Sequence, residues 1–189
     1  MIEHKEHFHG SDLEKIEAAY GIKKEDITSF SANVNPLGIS YKLREGLMEH
    51  IDAITSYPDR EYTSLRKCIA EYTGTDYRNI LVGNGSTELI SLVIQLKHPK
   101  KALIVGPTYS EYEHELSLEG GRSHYFRLKE SDDFKLNIDE LTQALDRDID
   151  LLVLCNPNNP TSSQIDRQSM RIILDIVIPS PVTVIVTGT

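Results

Sequence analysis

Short apolar runs alternate with longer periodic segments along most of this chain. Ile80–Val82, Ala102–Val105, Ser123–Phe126, Leu151–Leu154 and Thr183–Val186 are rich in β-branched, aliphatic or aromatic residues and predict strands. Three of these runs are nearly continuous in apolar character, the pattern of strands covered on both faces of a parallel sheet. Helical periodicity fills the gaps. Leu65, Ile69 and Tyr72 recur over Ser64–Tyr72, and Leu89, Ile90, Val93 and Ile94 over Thr87–Leu96. Tyr109–Glu119 and Ile138–Leu145 are also periodic, the second opened by Asn137 at the N-cap before Asp139-Glu140. The alternation predicts an α/β domain, a mostly parallel sheet with helices on both faces. Residues 1–40 differ: a helix over Asp12–Tyr20, then Ser31-Ala-Asn-Val-Asn-Pro-Leu-Gly, an extended and turn-rich arm. No repeat or low-complexity tract is visible.

Composition narrows the partners. Over 189 residues, 39% hydrophobic and 26% charged is a globular balance. Twenty Lys and Arg against twenty-nine Asp and Glu give −9 and a pI near 5.2, which argues against nucleic acid. A phosphorylated ligand stays open, because backbone N–H groups do much of that binding. No run approaches the roughly eighteen apolar residues of a membrane span, and Met1–His7 is too polar for a signal peptide. A cytoplasmic location with no membrane contact is expected. Cys68 and Cys155 are too few for a disulfide framework and not spaced for a metal, so two buried, reduced thiols are expected.

Three segments carry candidate chemistry. Gly83-Asn-Gly-Ser-Thr-Glu lies between a predicted strand and a helix. Its glycines allow a sharp turn, and Ser86 and Thr87 place hydroxyls beside a helix N-terminus, which favours a phosphate. A plain glycine turn with a serine cap has the same pattern. Gly106-Pro-Thr-Tyr-Ser-Glu-Tyr also follows a strand, where Tyr109 either presents its ring to a flat ligand or packs under the next helix. Cys155-Asn-Pro-Asn-Asn-Pro-Thr-Ser holds two Asn-Pro steps, which stop both strand and helix and fix a rigid loop. Its amides suit a ligand oxygen, although a mere turn would also use such residues.

In this order, and each behind a strand, these motifs resemble the fold type I aminotransferases that use pyridoxal phosphate. Phe30-Ser-Ala-Asn-Val-Asn-Pro-Leu-Gly, with His9-Gly10 before it and Tyr57-Pro-Asp after it, is similar to the histidinol-phosphate aminotransferase and threonine-phosphate decarboxylase subgroup. The likeness runs from about His9 to the last strand. It implies the N-terminal arm at 1–40 and, at 41–189, part of an aspartate-aminotransferase-like large domain. By resemblance, Gly85, Ser86 and Thr87 cradle the cofactor phosphate, Tyr109 stacks on the pyridine ring, and Asn159 bonds its phenolic oxygen. Tyr57 would reach the phosphate of a neighbouring subunit in a homodimer or larger assembly. Asn35, Leu37 and Gly38 would border the substrate, a small phosphorylated amino compound that is transaminated (histidinol phosphate) or decarboxylated (threonine phosphate).

The pattern departs from the family at the carboxyl end. Where relatives run from the last strand into Asp-Glu, this chain reads Thr187-Gly188-Thr189, and its last lysine is Lys135. Thr161-Ser162 replaces the usual Thr-Gly. Lys97, Lys100 and Lys101 cluster before a strand, at the end away from the candidate loops, and read as solvated charge. The expectation is a truncated form with most of the cofactor cup but no catalytic residue, inactive alone, and holding pyridoxal phosphate weakly and non-covalently. The alternative is a non-catalytic module that binds a phosphorylated ligand or dimerises.

Overall fold

The computed structural model describes residues 13–30, 35–145 and 148–188. His9-Gly10 and the Ser31–Val34 part of the arm lie outside the described residues. The chain divides into two compact units, Met1–Arg78 and Asn79–Thr189.

The second unit is built on four strands: β1 (Lys101–Gly106), β2 (Arg122–Arg127), β3 (Leu151–Cys155) and β4 (Thr183–Thr187). They pair in parallel in the order β2-β1-β3-β4, with Lys101 opposite Arg122, Ala102 opposite Leu151, and Leu151 opposite Thr183. Parallel neighbours require crossovers, which α5 (Glu111–Leu118), α6 (Ile138–Ala144) and α7 (Arg167–Val177) supply. The period-2 alternation of the central strands splits the interior into two cores. Ala102, Ile104, Leu151, Val153 and Cys155 face one side, closed by Ile90 and Ile94 of α4 (Ser86–Lys97) and Tyr112 and Leu116 of α5. Leu103, Val105, Leu152 and Leu154 face the other, closed by Leu141 of α6 and Ile173 and Val177 of α7. Every residue of β3 is buried. This is the expected α/β layering, with helices on both faces.

Caps set the helix starts. Asn137 accepts a hydrogen bond from Glu140 N at 3.2 Å, as its position predicts, and Asp166 caps α7 through Gln168 N and Ser169 N. At the far edge of the sheet the Asp150 carboxylate accepts from Lys100 N at 2.7 Å and Lys101 N at 3.0 Å. The lysine cluster therefore belongs to the amino edge of the strands.

The first unit contains α1 (Leu13–Tyr20), α2 (Tyr41–Glu49) and α3 (Thr63–Thr73), none of which buries a residue. Ser40 caps α2 through Leu43 N at 3.2 Å. Arg66 donates Nε and Nη2 to Tyr77 O and sets its guanidinium 5.6 Å from the Tyr77 ring centroid.

Two expectations are corrected. Ile80–Val82 forms no strand: β1 is already flanked by β2 and β3, no strand runs beside this segment among the described residues, and Leu81 is exposed. Cys155 is buried as expected, but Cys68 is exposed. The partly buried stripe of α3 is Thr63, Arg66, Ile69 and Ala70, and Cys68 lies two residues, or about 200°, round the helix from Arg66.

Candidate functional site

The strand order locates a crevice before any side chain is considered. From β1 the chain moves outward to β2, and from β3 it moves the other way to β4. The loops after β1 and β3 thus diverge from a topological switch point at the carboxyl edge, where open α/β sheets bind ligands. Helix α4 leads into the start of β1 and packs on the sheet through Ile90 and Ile94, so its N-terminus comes to this same edge.

At that terminus Gly85 is the N-cap, with φ 82° and ψ 171°. This backbone region is open essentially only to glycine, and a Cβ there would meet nothing within 4 Å. No side chain caps α4, so its first-turn amides and the positive end of its dipole face open space beside Ser86 and Thr87. The Glu88 carboxylate instead accepts from Asn84 N, one turn back. A Cβ on Gly83 would lie 2.8 Å from that carboxylate, so a side chain there would push the Glu88 carboxylate aside.

Tyr109, in the loop after β1, is half-buried against the first core. Its ring meets Tyr112 edge to face, with centroids 5.7 Å apart and an interplanar angle of 83°. Tyr112 OH pairs with Thr187 Oγ1 at the end of β4, and burial pushes the Tyr112 phenol well above its ordinary range. Tyr125 of β2 crowds the last residue of β1, where a Gly106 Cβ would come within 3.0 Å of its ring. Burial and the Glu113 carboxylate, which accepts from Tyr125 OH at 3.0 Å, push that phenol up to about 12.

The loop after β3 is tied at several points. Asn156 N donates to Thr187 O at 2.7 Å, and the Asn156 side chain exchanges two hydrogen bonds with the backbone of Ile165. Asn158, 6% exposed, donates Nδ2 to Thr161 Oγ1 at 2.7 Å and across to Pro107 O at 2.9 Å. Asn159 is half-buried, and its amide takes part in none of these bonds.

The structure thus brings Gly85, Ser86, Thr87, Tyr109 and Asn159 to one edge of one sheet. Asn35, Leu37, Gly38 and Tyr57 belong to the other unit. There Asn35 closes a turn, accepting from Leu37 N at 3.0 Å and donating to Gly38 O at 2.9 Å, while the side chains of Leu37 and Tyr57 are exposed. Sequence reasoning missed Asn158, whose only local signal is the neighbouring Asn-Pro step.

A ligand with a phosphate and a flat polar ring matches these donors. The uncapped helix end and the open Gly85 suit the phosphate, and the crevice loops hold two buried polar atoms without a partner, Asn158 Oδ1 and Thr108 Oγ1. Among the described residues no His, Cys, Asp or Glu cluster is placed to hold a metal, and no helix is long and apolar enough to cross a membrane.

Residues 25–186 match the family model described as aminotransferase class I and II. The threonine-phosphate decarboxylase of Salmonella typhimurium (strain LT2) is 35% identical over 167 residues, covering 88% of this chain and 46% of that protein. The crystal structure of the histidinol-phosphate aminotransferase from Clostridium acetobutylicum superposes with a TM-score of 0.72 at 31% identity, over 82% of this chain and 45% of that one. Cystalysin from Treponema denticola, whose structure contains pyridoxal 5'-phosphate, shares the fold with a TM-score of 0.66 at 19% identity, over 78% of this chain and 40% of that one. The chain spans less than half the length of the curated relatives it matches.

Proposed function

This chain belongs to the class I and II aminotransferases, and from that premise we propose that it provides the cofactor-binding part of a pyridoxal-phosphate enzyme acting on a small phosphorylated amino compound. The observation that carries the reading is the uncapped N-terminus of α4, at the same carboxyl edge as the loops of Tyr109 and Asn159. When bound, the cofactor supplies an electron-withdrawing ring that stabilises negative charge at the substrate's α-carbon. The chain's own contribution is binding and orientation. The amides and hydroxyls of Gly85, Ser86 and Thr87 take the phosphate, where the helix dipole favours negative charge. Tyr109, braced edge-on by Tyr112, offers its ring to the pyridine face. Asn159 keeps its amide for the phenolic oxygen.

Histidinol phosphate and threonine phosphate are the proposed substrates, since the relatives above are named for them. The arm at 1–40, with Asn35, Leu37 and Gly38, would border the substrate, and Tyr57 would act across a homodimer interface in the cytoplasm. The domain from 41 to 189 would hold the cofactor. These 189 residues carry no lysine after Lys135, so binding by this chain is proposed to be non-covalent and weak, without turnover.

The chain has no tryptophan, and three of its nine tyrosines, Tyr109, Tyr112 and Tyr125, lie in the unit with the crevice, so part of its tyrosine fluorescence reports on the site. Titration with pyridoxal 5'-phosphate should give saturable quenching, weakened by Thr87→Ala and by Asn159→Ala. Borohydride reduction and peptide mapping should find no stoichiometric pyridoxyl-lysine, and histidinol phosphate and threonine phosphate should not be consumed above the free-cofactor rate. Quenching that never saturates would overturn the cofactor reading.

A further inference from the structure

We propose that Asn158 is a positioning residue, which latches the loop carrying Asn159 to the loop carrying Tyr109 so that both present themselves to one ligand at a fixed spacing. The proposal rests on the cofactor reading above but adds a residue which that reading does not use. Asn158 is nearly fully buried, and its bonds fall into two sets. Within its own loop, its N–H donates to Ser163 O at 2.9 Å, its C=O accepts from Ser162 N at 2.8 Å, and Nδ2 donates to Thr161 Oγ1 at 2.7 Å. Thr161 Oγ1 in turn pairs with Ser163 Oγ at 2.7 Å, which closes residues 158–163 into a ring of bonds. The second set is one bond, from Nδ2 to Pro107 O at 2.9 Å, reaching a residue 51 positions earlier in the chain.

That bond also fixes which way the amide points. A carbonyl only accepts, so the atom facing Pro107 must be the NH₂ group, and Oδ1 is left buried without a partner. A buried acceptor left unpaired is costly, so the amide is held by its two donor bonds against that cost. Pro107 lies two residues before Tyr109, and Asn158 directly precedes Asn159. The latch therefore joins the two candidate contact residues through one residue of backbone on one side and two on the other. The adjacent asparagines divide the work: one is spent on the scaffold, and the other keeps its amide for a ligand.

The test has an arm without ligand and an arm with it. Hydrogen–deuterium exchange on the full chain should show faster exchange at Thr108–Ser110 in Asn158→Ala, although no residue of that loop is changed. In the second arm, pyridoxal 5'-phosphate should bind Asn158→Ala about tenfold more weakly than the parent chain, the scale of one buried hydrogen bond. Because part of the latch's effect passes through Asn159 and part through Tyr109, adding Asn158→Ala to Asn159→Ala should weaken binding by clearly less than about tenfold further. Should Asn158→Ala fail to fold, Asn158→Ser carries both arms, since its shorter side chain keeps a hydroxyl in the loop but cannot span to Pro107. Unchanged exchange at Thr108–Ser110 overturns the latch, and penalties that multiply in the double variant overturn its action through Asn159. A parent chain that does not bind pyridoxal 5'-phosphate overturns the cofactor reading alone, and the exchange arm still decides the latch.

Discussion

Gly85 shows how much of the candidate site rests on backbone rather than on side chains. At φ 82° and ψ 171° it occupies a region that costs other residues roughly 1–3 kcal/mol. Because nothing lies within 4 Å of a Cβ there, the cost of Gly85→Ala is conformational and not steric. Urea unfolding should show a loss of about 1–3 kcal/mol with an unchanged m-value. An unchanged midpoint would mean that the turn relaxes freely. Residue types alone raised Gly85, Ser86, Thr87 and Tyr109 as candidates beside plain structural readings, because their chemistry is local, and the family resemblance gave their roles and picked Asn159 from its stiff loop. Asn158 was not legible by that route. Its decisive partner is 51 residues away, and no spacing rule connects an asparagine to a distant proline carbonyl.

Elements were legible where one physical signal dominated. β1 and β3 are nearly continuous apolar runs, and both are buried on two faces. Ile80–Val82 carries the same signal at shorter length, but a strand also needs a neighbour, and that lies outside its own sequence. Helix α7 was missed although its signal is present. Met170, Ile173, Leu174 and Val177 recur at i, i+3, i+4 and i+7 and pack on one core, with the more exposed Ile172 and Ile176 interleaved among them. The start of α7 gives a pH prediction. Hydrogen bonds from the Ser169 hydroxyl and then the Ser169 amide hold the Asp166 carboxyl below its ordinary 3.8. With the folded value depressed, the stabilising contribution is present above about pH 3.8 and is lost as pH falls through the lower folded value. Circular dichroism should show α7 weakening in that acid range. An asparagine at this position would cap without titrating, so Asp166→Asn should remove this part of the pH dependence and leave the neutral-pH signal in place.

At the scale of the molecule the two edges of the sheet contrast. β2 ends one side with Arg122, His124 and Arg127, charges and polar groups of the kind that protect an edge from pairing. β4 ends the other side as Thr-Val-Ile-Val-Thr, uncharged, with Val186 47% exposed. The net charge of −9 opposes association, but salt screens it beyond about 10 Å, whereas an apolar edge acts at contact. Light scattering behind size exclusion should therefore find dimers or larger assemblies, and Val186→Lys should shift them toward the 21.4 kDa monomer. A parent chain that already runs as a monodisperse monomer would show the β4 edge to be harmless. The parallel order of the sheet also bears on how the unit is assembled in time. No two neighbouring strands are joined by a hairpin, since Lys101 meets Arg122, Leu151 meets Ala102, and Thr183 meets Leu151. Each pairing closes a loop of about 20 to 50 residues, an entropic cost met before any ladder bond is made. As the chain leaves a ribosome, β1, α5 and β2 can come together early, yet the central seat beside β1 stays open until β3 emerges. The most apolar strand of the unit thus arrives only after β1 and β2, and until it does the wall between the two cores lacks one of its two buried strands.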